Sequence, residues 1–181
     1  MAGVYAKTDN NKNVGKAPAV VEDGKLLWLE GLENNLSRPQ VGYAYENKIN
    51  CLVSWPQTGM VVWGARTLTA PGGEFVYINQ RRLFQFVEKS VFNSTHIHVF
   101  QNNGPALWSA IRLQVTNFLL VLFKAGYFAG TTPSEAFFVI CDSTNNPQQT
   151  IDLGLVYCDV GLATNKPAEF CVFSFQQLAV A

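Results

Sequence analysis

Charge is what this chain has least of. Asp, Glu, Lys and Arg make up 14% of its 181 residues, against a usual share of about 25%, while 48% are hydrophobic. That balance excludes a solvated, disordered polypeptide and favours one rich in buried or interface surface. The 13 basic and 13 acidic residues cancel, which removes the electrostatic footprint of a nucleic-acid binder. Long apolar runs are also missing. None is longer than Phe118 to Phe123, which lies between Asn117 and Lys124 and falls far short of the ~20 residues that span a bilayer. Residues 1–20 hold no apolar stretch long enough for a signal peptide. The reading is a soluble chain made in a cytoplasm, with no membrane insertion and no direct nucleic-acid contact.

Chemical motifs are scarce too. There is no Gly-rich phosphate loop after a strand and no Gly-x-Ser-x-Gly elbow. Cys51, Cys141, Cys158 and Cys171 sit in apolar runs without a Cys-x-x-Cys pair, so they read as core thiols rather than zinc ligands or a disulfide framework. Asp142, Asp152 and Asp159 are scattered near strand ends, and Glu135 belongs to a capping box. His96 and His98 are the two histidines. In a strand over 95–100 they would point the same way, a spacing that could hold a metal, but no third ligand is near, and a polar strand face or a helix end is the plainer reading. No cofactor, metal or catalytic residue is expected.

What is present is a patterned α/β chain. Met60 to Leu68 is a short β-branched run that reads as a strand. A loop with Pro71, Gly72 and Gly73 follows. Residues 78–93 then carry Leu83, Val87 and Val91 on one stripe, flanked by Phe84 and Phe86, which predicts an amphipathic helix. Upstream, residues 1–24 are polar and Gly/Asn/Lys-rich and should run extended, along the domain or onto a neighbour. Leu26 to Leu36 suggests one or two helical turns. Cys51–Trp55 reads as a strand, with a turn at Pro56–Gly59 that predicts a hairpin to the next.

Pro105 suits a first helical position, and the longest helix runs about Ala106 to Ala125. Its core stripe is Leu107, Ile111, Val115, Leu119 and Leu122, widened by Trp108, Phe118 and Phe123. Its end is apolar nearly all round and should be buried on more than one side; Gly126 stops it. Phe137–Cys141 is fully apolar and should be a central strand in a covered sheet. Asn145–Gln149 reads as a loop, and Leu155–Gly161 and Phe170–Phe175 as the last strands. The expected fold is α/β: a mixed β-sheet flanked by two main helices, with extended terminal segments. Residues 1–24 form the first segment and 25–181 the domain, with a last strand at 170–176 and a tail to 181.

The words VWGARTL and INQRRLFQFVEKS resemble the C-terminal part of tail sheath proteins from contractile bacteriophages and related contractile injection machines. The pattern is met again by ALWSAIRLQVTNFLLVLFKAGYFAGTTPSEAFFVICD and by NNPQQTIDLGLVYCDVGLATNKPAEFCVFSF, in the family's order and with similar gaps. Gly15-Lys16 departs from it, standing where an aromatic residue often precedes Lys-Ala-Pro. Residues 3–19 are similar to the segment that re-enters the sheath's C-terminal domain, which implies that Met1 opens a fragment and that an upstream portion is missing.

The resemblance implies a structural subunit, not an enzyme. Such subunits stack as six-membered rings around an inner tail tube, meet a baseplate and a tail terminator, and contract to drive the tube through the host envelope. It implies location in the virion tail, assembled in the host cytoplasm, with this domain innermost. Neighbours are linked by β-strand exchange, for which Phe170, Val172, Phe173 and Phe175 are the candidates. Arg81, Arg82, Lys89, Arg112 and Lys124, on or beside the two helices, are tube-facing candidates, or else solvated faces and structural pairs. Arg66, at the strand-loop junction, should brace the fold. Without the upstream portion, one partner of the strand exchange is lost, and a monomer or weak oligomer is expected. The competing class is a small cytoplasmic enzyme with a Cys/His site; a tube or baseplate component would share the partners but lacks these motifs.

Overall fold

A computed structural model describes residues 1–70 and 72–168. Two antiparallel strand pairs anchor it. β1 (Cys51–Trp55) and β2 (Gly59–Trp63) form a hairpin in which Cys51 faces Trp63 and Trp55 faces Gly59. Gly59 takes φ +76° at the turn, a conformation costly for any residue with a Cβ. The free side of β2 takes a short third partner: Leu26 N–H donates to Met60 O at 2.9 Å, and Val62 N–H to Gly24 O at 2.9 Å. Helix α3 (Arg38–Glu46) closes over the hairpin, with Val41 buried against Cys51, Val53 and Val61. Its start is set locally, since Gln40 Oε1 accepts from Ser37 N–H at 2.9 Å and Pro39 lies in the first turn.

The larger core lies between α4 (Ile78–Thr95), α5 (Pro105–Lys124) and the second strand pair, β3 (Phe137–Ile140) with β4 (Asp159–Leu162). The predicted stripes meet there. Leu83 and Val87 of α4 pack with Leu107, Trp108, Ile111, Val115, Leu119 and Leu122 of α5, together with Phe128, Ala136 and Cys141. Leu83 and Leu119 are essentially fully buried, each contributing about 2 kcal/mol of apolar transfer. Pro105 opens α5, and Gly126, at φ +76°, lies just past its end. Short α6 (Pro133–Ala136) delivers the chain to β3, and Glu135 Oε2 accepts from the N–H groups of Thr131 at 2.8 Å and Thr132 at 3.2 Å.

The structure corrects several expectations. Residues 1–24 are not simply extended: α1 (Ala2–Asn11) and a turn of helix, α2 (Val20–Asp23), form there. α1 has little apolar periodicity of its own, but Val4 and Thr8 are buried and Arg82 holds Asp9, so docking makes the helix. No helix forms over 26–36, where the chain pairs with β2 and then turns through Trp28 at φ +62°. The strand from Met60 stops at Trp63, because Gly64 takes φ +124° under Asn50, where a Cβ would come to 2.6 Å from Asn50 Oδ1.

The 95–100 strand is absent; α4 continues into a 3-10 turn, His96–His98, and Phe92 meets His96 edge to face. A one-turn helix, α7 (Gln148–Asp152), replaces part of the expected loop. The sheet is not one mixed sheet but two antiparallel pairs among the described residues. β3 is therefore not central or covered: Phe138 and Ile140 are exposed. α5 is likewise open on one face, at Leu113 and Val121, although among the described residues it is the helix long and apolar enough to cross a membrane. The strand at 155–161 is realised only as β4, and the strand at 170–176 lies outside the described residues.

Candidate assembly surface

The basic candidates separate by what they touch. Arg82 is committed within the chain. Its Nη1 and Nη2 donate to the two carboxylate oxygens of Asp9 at 3.0 and 2.6 Å, and its guanidinium lies 4.7 Å from the Tyr5 ring centre. Such a two-point bond is the strong form of an ion pair, so this charge fastens α1 to α4. Arg112 of α5 reaches Asp142 at 3.9 Å with both groups well exposed, a contact worth little. Arg81 lies over Phe75 at 5.0 Å and Lys89 over Phe92 at 5.5 Å, and both remain exposed. Lys124 is exposed in the last turn of α5. Arg66 braces the β2 exit through its main chain and a ring contact. Asn50 Nδ2 donates to Arg66 O at 2.7 Å, Arg66 N–H donates to Asn50 Oδ1 at 2.9 Å, and the guanidinium stacks 3.8 Å from the Tyr45 ring centre. Phe170, Val172, Phe173 and Phe175 lie outside the described residues.

The strand pairs offer edges. Among the described residues, β3 is bonded to β4 on one side and to no strand on the other, and the outer edge of β1 is likewise without a strand. β4 is extended past Leu162: Ala163 N–H donates to Ala136 O at 2.8 Å, and Ala129 N–H donates to Ala163 O at 2.9 Å. The outer edge of β3, flanked by exposed Phe138 and Ile140, has the character of an acceptor for an added strand. Phe138 lies across Gly161 so closely that no Cβ could be accommodated without moving the ring.

A feature the sequence did not disclose is the groove between α3 and the hairpin, about 790 Å³, lined by Arg38, Val41, Tyr45, Trp55 and Trp63 among others. Trp55 and Trp63 meet edge to face with centroids 5.8 Å apart, and the buried Trp55 Nε1 has no hydrogen-bond partner among the described residues. Residues 38–46 carry little apolar periodicity, so only the Ser37–Gln40 capping box could have revealed α3.

Nucleophilic chemistry is poorly served. Burial raises the Cys51 and Cys141 thiols, and burial, then the neighbouring Cys141, then Asp159, push Cys158 up to about 12. A reactive thiol needs the opposite environment. Cys158 does share a cavity of about 580 Å³ with His98, but His98 Nε2 is engaged by Gln114 Oε1 at 2.8 Å. Among the described residues no group of three His, Cys, Asp or Glu side chains could hold a metal ion. Glu135 is held below the usual carboxylate range, first by the Thr131 N–H, and Asp142 likewise, first by the Thr144 hydroxyl. Both are turn and cap carboxylates rather than an acid–base pair.

No protein-family profile matches the chain. Individual relatives do. It is 26% identical over 175 residues to the tail sheath protein of Vibrio phage KVP40, covering 97% of this chain and 25% of that protein. It is 28% identical over 155 residues to the tail sheath protein of Enterobacteria phage T4, covering 84% and 22%. Among solved structures it superposes on a chain of the anti-feeding prophage baseplate with a TM-score of 0.90 and 31% identity, over 97% of this chain and 48% of that one. A chain of the sheath complex of an extracellular contractile injection system, PVC, in its contracted state gives 0.87 and 34%, over 98% and 49%. The chain thus spans about a quarter of the phage relatives and about half of the injection-system chains. In sequence and in fold together, the chain is similar to part of the sheath proteins of contractile phage tails and contractile injection systems.

Proposed function

We propose that this chain is the inner, tube-proximal domain of a contractile sheath subunit. Copies stack as six-membered rings around an inner tail tube, between a baseplate and a tail terminator, and shorten on triggering to drive the tube through a host envelope. The observation that carries the reading is agreement in fold over nearly the whole chain, at 31–34% identity, with chains from contractile machines. The site is the virion tail, with assembly in the host cytoplasm.

The geometry supports the role in two ways. The open edges of β3 and β1 can accept strands from neighbours, so that main-chain hydrogen bonds keep subunits linked while the rigid helical core turns as a body. Phe170, Val172, Phe173 and Phe175 are the proposed donated residues. The exposed cations Arg81, Lys89, Arg112 and Lys124 would make weak, screened contacts with an acidic tube surface, of a kind that releases when the sheath widens. Arg82 is withdrawn from that set by Asp9. No bound nucleotide is needed, since the driving energy lies in a better-paired contracted lattice summed over many copies.

Negative-stain electron microscopy of the gene product that carries this sequence, beside residues 1–181 alone, tests the proposal. Hollow striated tubes from the gene product and monomers or small oligomers from residues 1–181 are expected. Dispersed particles from the gene product, both with and without the inner-tube protein, would overturn it.

A further inference from the structure

Two thiols face each other across the second strand pair. The β3–β4 register sets Ile140 opposite Asp159. The ladder ends there; carried one step on, the same register would set Cys141 opposite Cys158, and a further step would set Asp142 opposite Tyr157. This third pair is clamped by the buried side chain of Asn146. Its Nδ2 donates to Asp142 O at 3.1 Å and to Tyr157 O at 2.9 Å, and its Oδ1 accepts from Tyr157 N–H at 2.7 Å. The cysteines are therefore fixed between a ladder pair on one side and an amide clamp on the other. Residues directly opposite in an antiparallel pair have Cα atoms about 4.5 or 5.5 Å apart, within the roughly 4.4–6.8 Å that a disulfide spans. Each thiol perturbs the other's proton affinity, and both are free thiols.

We propose that Cys141 and Cys158 are a redox pair that closes to an intrachain cross-strand disulfide on meeting a disulfide oxidant such as oxidised glutathione. Access is through Cys158, which is only partly buried and lines the cavity formed by Val91, His98, Phe100, Leu107 and Ile111; Cys141 is fully buried. The Cys158 thiolate attacks one sulfur of oxidised glutathione, forming a mixed disulfide and expelling a glutathione thiolate. Cys141 then loses its proton and attacks the Cys158 sulfur, expelling the second glutathione thiolate. Two electrons pass from the protein sulfurs to one glutathione disulfide, which leaves as two glutathione thiols after taking up the two protons. The product closes a loop over residues 142–157, pinning α7 and the exposed Leu153 and Leu155 against β3. The high proton affinity of Cys158 keeps the thiolate scarce near neutrality, so the pair stays reduced in a thiol-rich cytoplasm and closes slowly outside it. This inference stands on β3 and β4 alone and does not depend on the assembly reading.

The test uses the unmodified chain, equilibrated in graded ratios of oxidised to reduced glutathione, quenched in acid, alkylated with iodoacetamide and digested without reduction for mass spectrometry. One crosslinked peptide pair joining Cys141 to Cys158, two hydrogen masses lighter than the thiol forms, is expected. Cys51 should remain alkylated, Tm should rise by several degrees, and dithiothreitol should reverse both changes. In Cys141→Ser, whose folding is checked by its melting curve, a glutathione adduct should persist on Cys158. Full alkylation of both thiols at ratios that oxidise a control dithiol would overturn the proposal. So would an unresolved glutathione adduct on Cys158 in the unmodified chain, or a bond to Cys51 or Cys171.

Discussion

Single polar side chains do much of the joining in this molecule. Asn79, buried on α4, donates from Nδ2 to Gly15 O at 2.9 Å and to Asn165 O at 3.1 Å, so one amide ties together segments far apart in the chain. Asn146 does the same between β3 and the approach to β4. Replacing Asn146, itself buried, with Ala leaves the partly buried Tyr157 N–H without its acceptor, so urea unfolding should show a loss of about 1–2 kcal/mol; a loss below about 0.5 would contradict the clamp. The thiols give a second test. Burial first, and the neighbouring Cys141 and Asp159 next, raise the Cys158 pKa to about 12, while Cys141 also feels Arg112 and Asp142. The reactive thiolate is therefore formed only as pH rises toward that value. Between pH 7 and 9 the alkylation rate of Cys158 should climb about tenfold per pH unit, whereas a plateau near pH 8.5 would show an ordinary thiol.

Helices α4 and α5 carry the architecture because each buries one stripe and leaves the rest outside. Leu119 has no exposed surface, whereas Val121, two residues on, is mostly exposed. Leu119→Ala should cost about 3 kcal/mol in a denaturant titration, and Val121→Ala less than about 0.5. Equal effects would mean that α5 is not packed as described. If Val121 belongs to a contact between copies, its loss should instead appear in assembly. These two helices were legible in the sequence because each is long and periodic, with a break on both sides: Pro105 and Gly126 bracket α5 by chemistry alone.

The β1–β2 hairpin was legible as well, from two β-branched runs around a four-residue turn. α1 was not, since its helical state depends on Asp9 meeting Arg82, a contact 73 residues away in sequence. The separation into two strand pairs was hidden for the same reason: the partners of β3 and β4 are set by tertiary register, which apolar content does not encode. His96 and His98 were read as a strand face or a helix end, because Ile97 and Val99 mimic alternation; the helix end is what forms, as α4 runs on into its terminal turn. Of the candidate surface, the cations could be named from sequence, whereas β3 was read as a central, covered strand and its open edge emerged only in the fold. The aromatic groove and the facing thiols could not, because both are made by elements that meet only in the fold.

As a whole molecule the chain reads as a part built to be covered. It is poor in charge, leaves strand edges at β1 and β3 without a partner strand among the described residues, and exposes large apolar side chains over several faces, including Leu113 and Val121 on α5, Phe138 on β3, and Trp28 and Phe100 at loop tips. Trp28 and Phe100 also hold positive φ, a strained state for bulky residues that persists only where the surroundings fix it. An isolated domain gains nothing from such features, whereas a subunit packed among copies does. The most direct measurement is immunogold labelling, with antibodies against residues 1–181, of contractile particles from the source that carries this sequence, imaged extended and contracted. The account predicts gold along the full length of the tail shaft in intact or fractured particles, with none on the exposed inner tube after contraction. Gold confined to one end of the tail, to the bare tube, or absent from particles that contain the protein would contradict it.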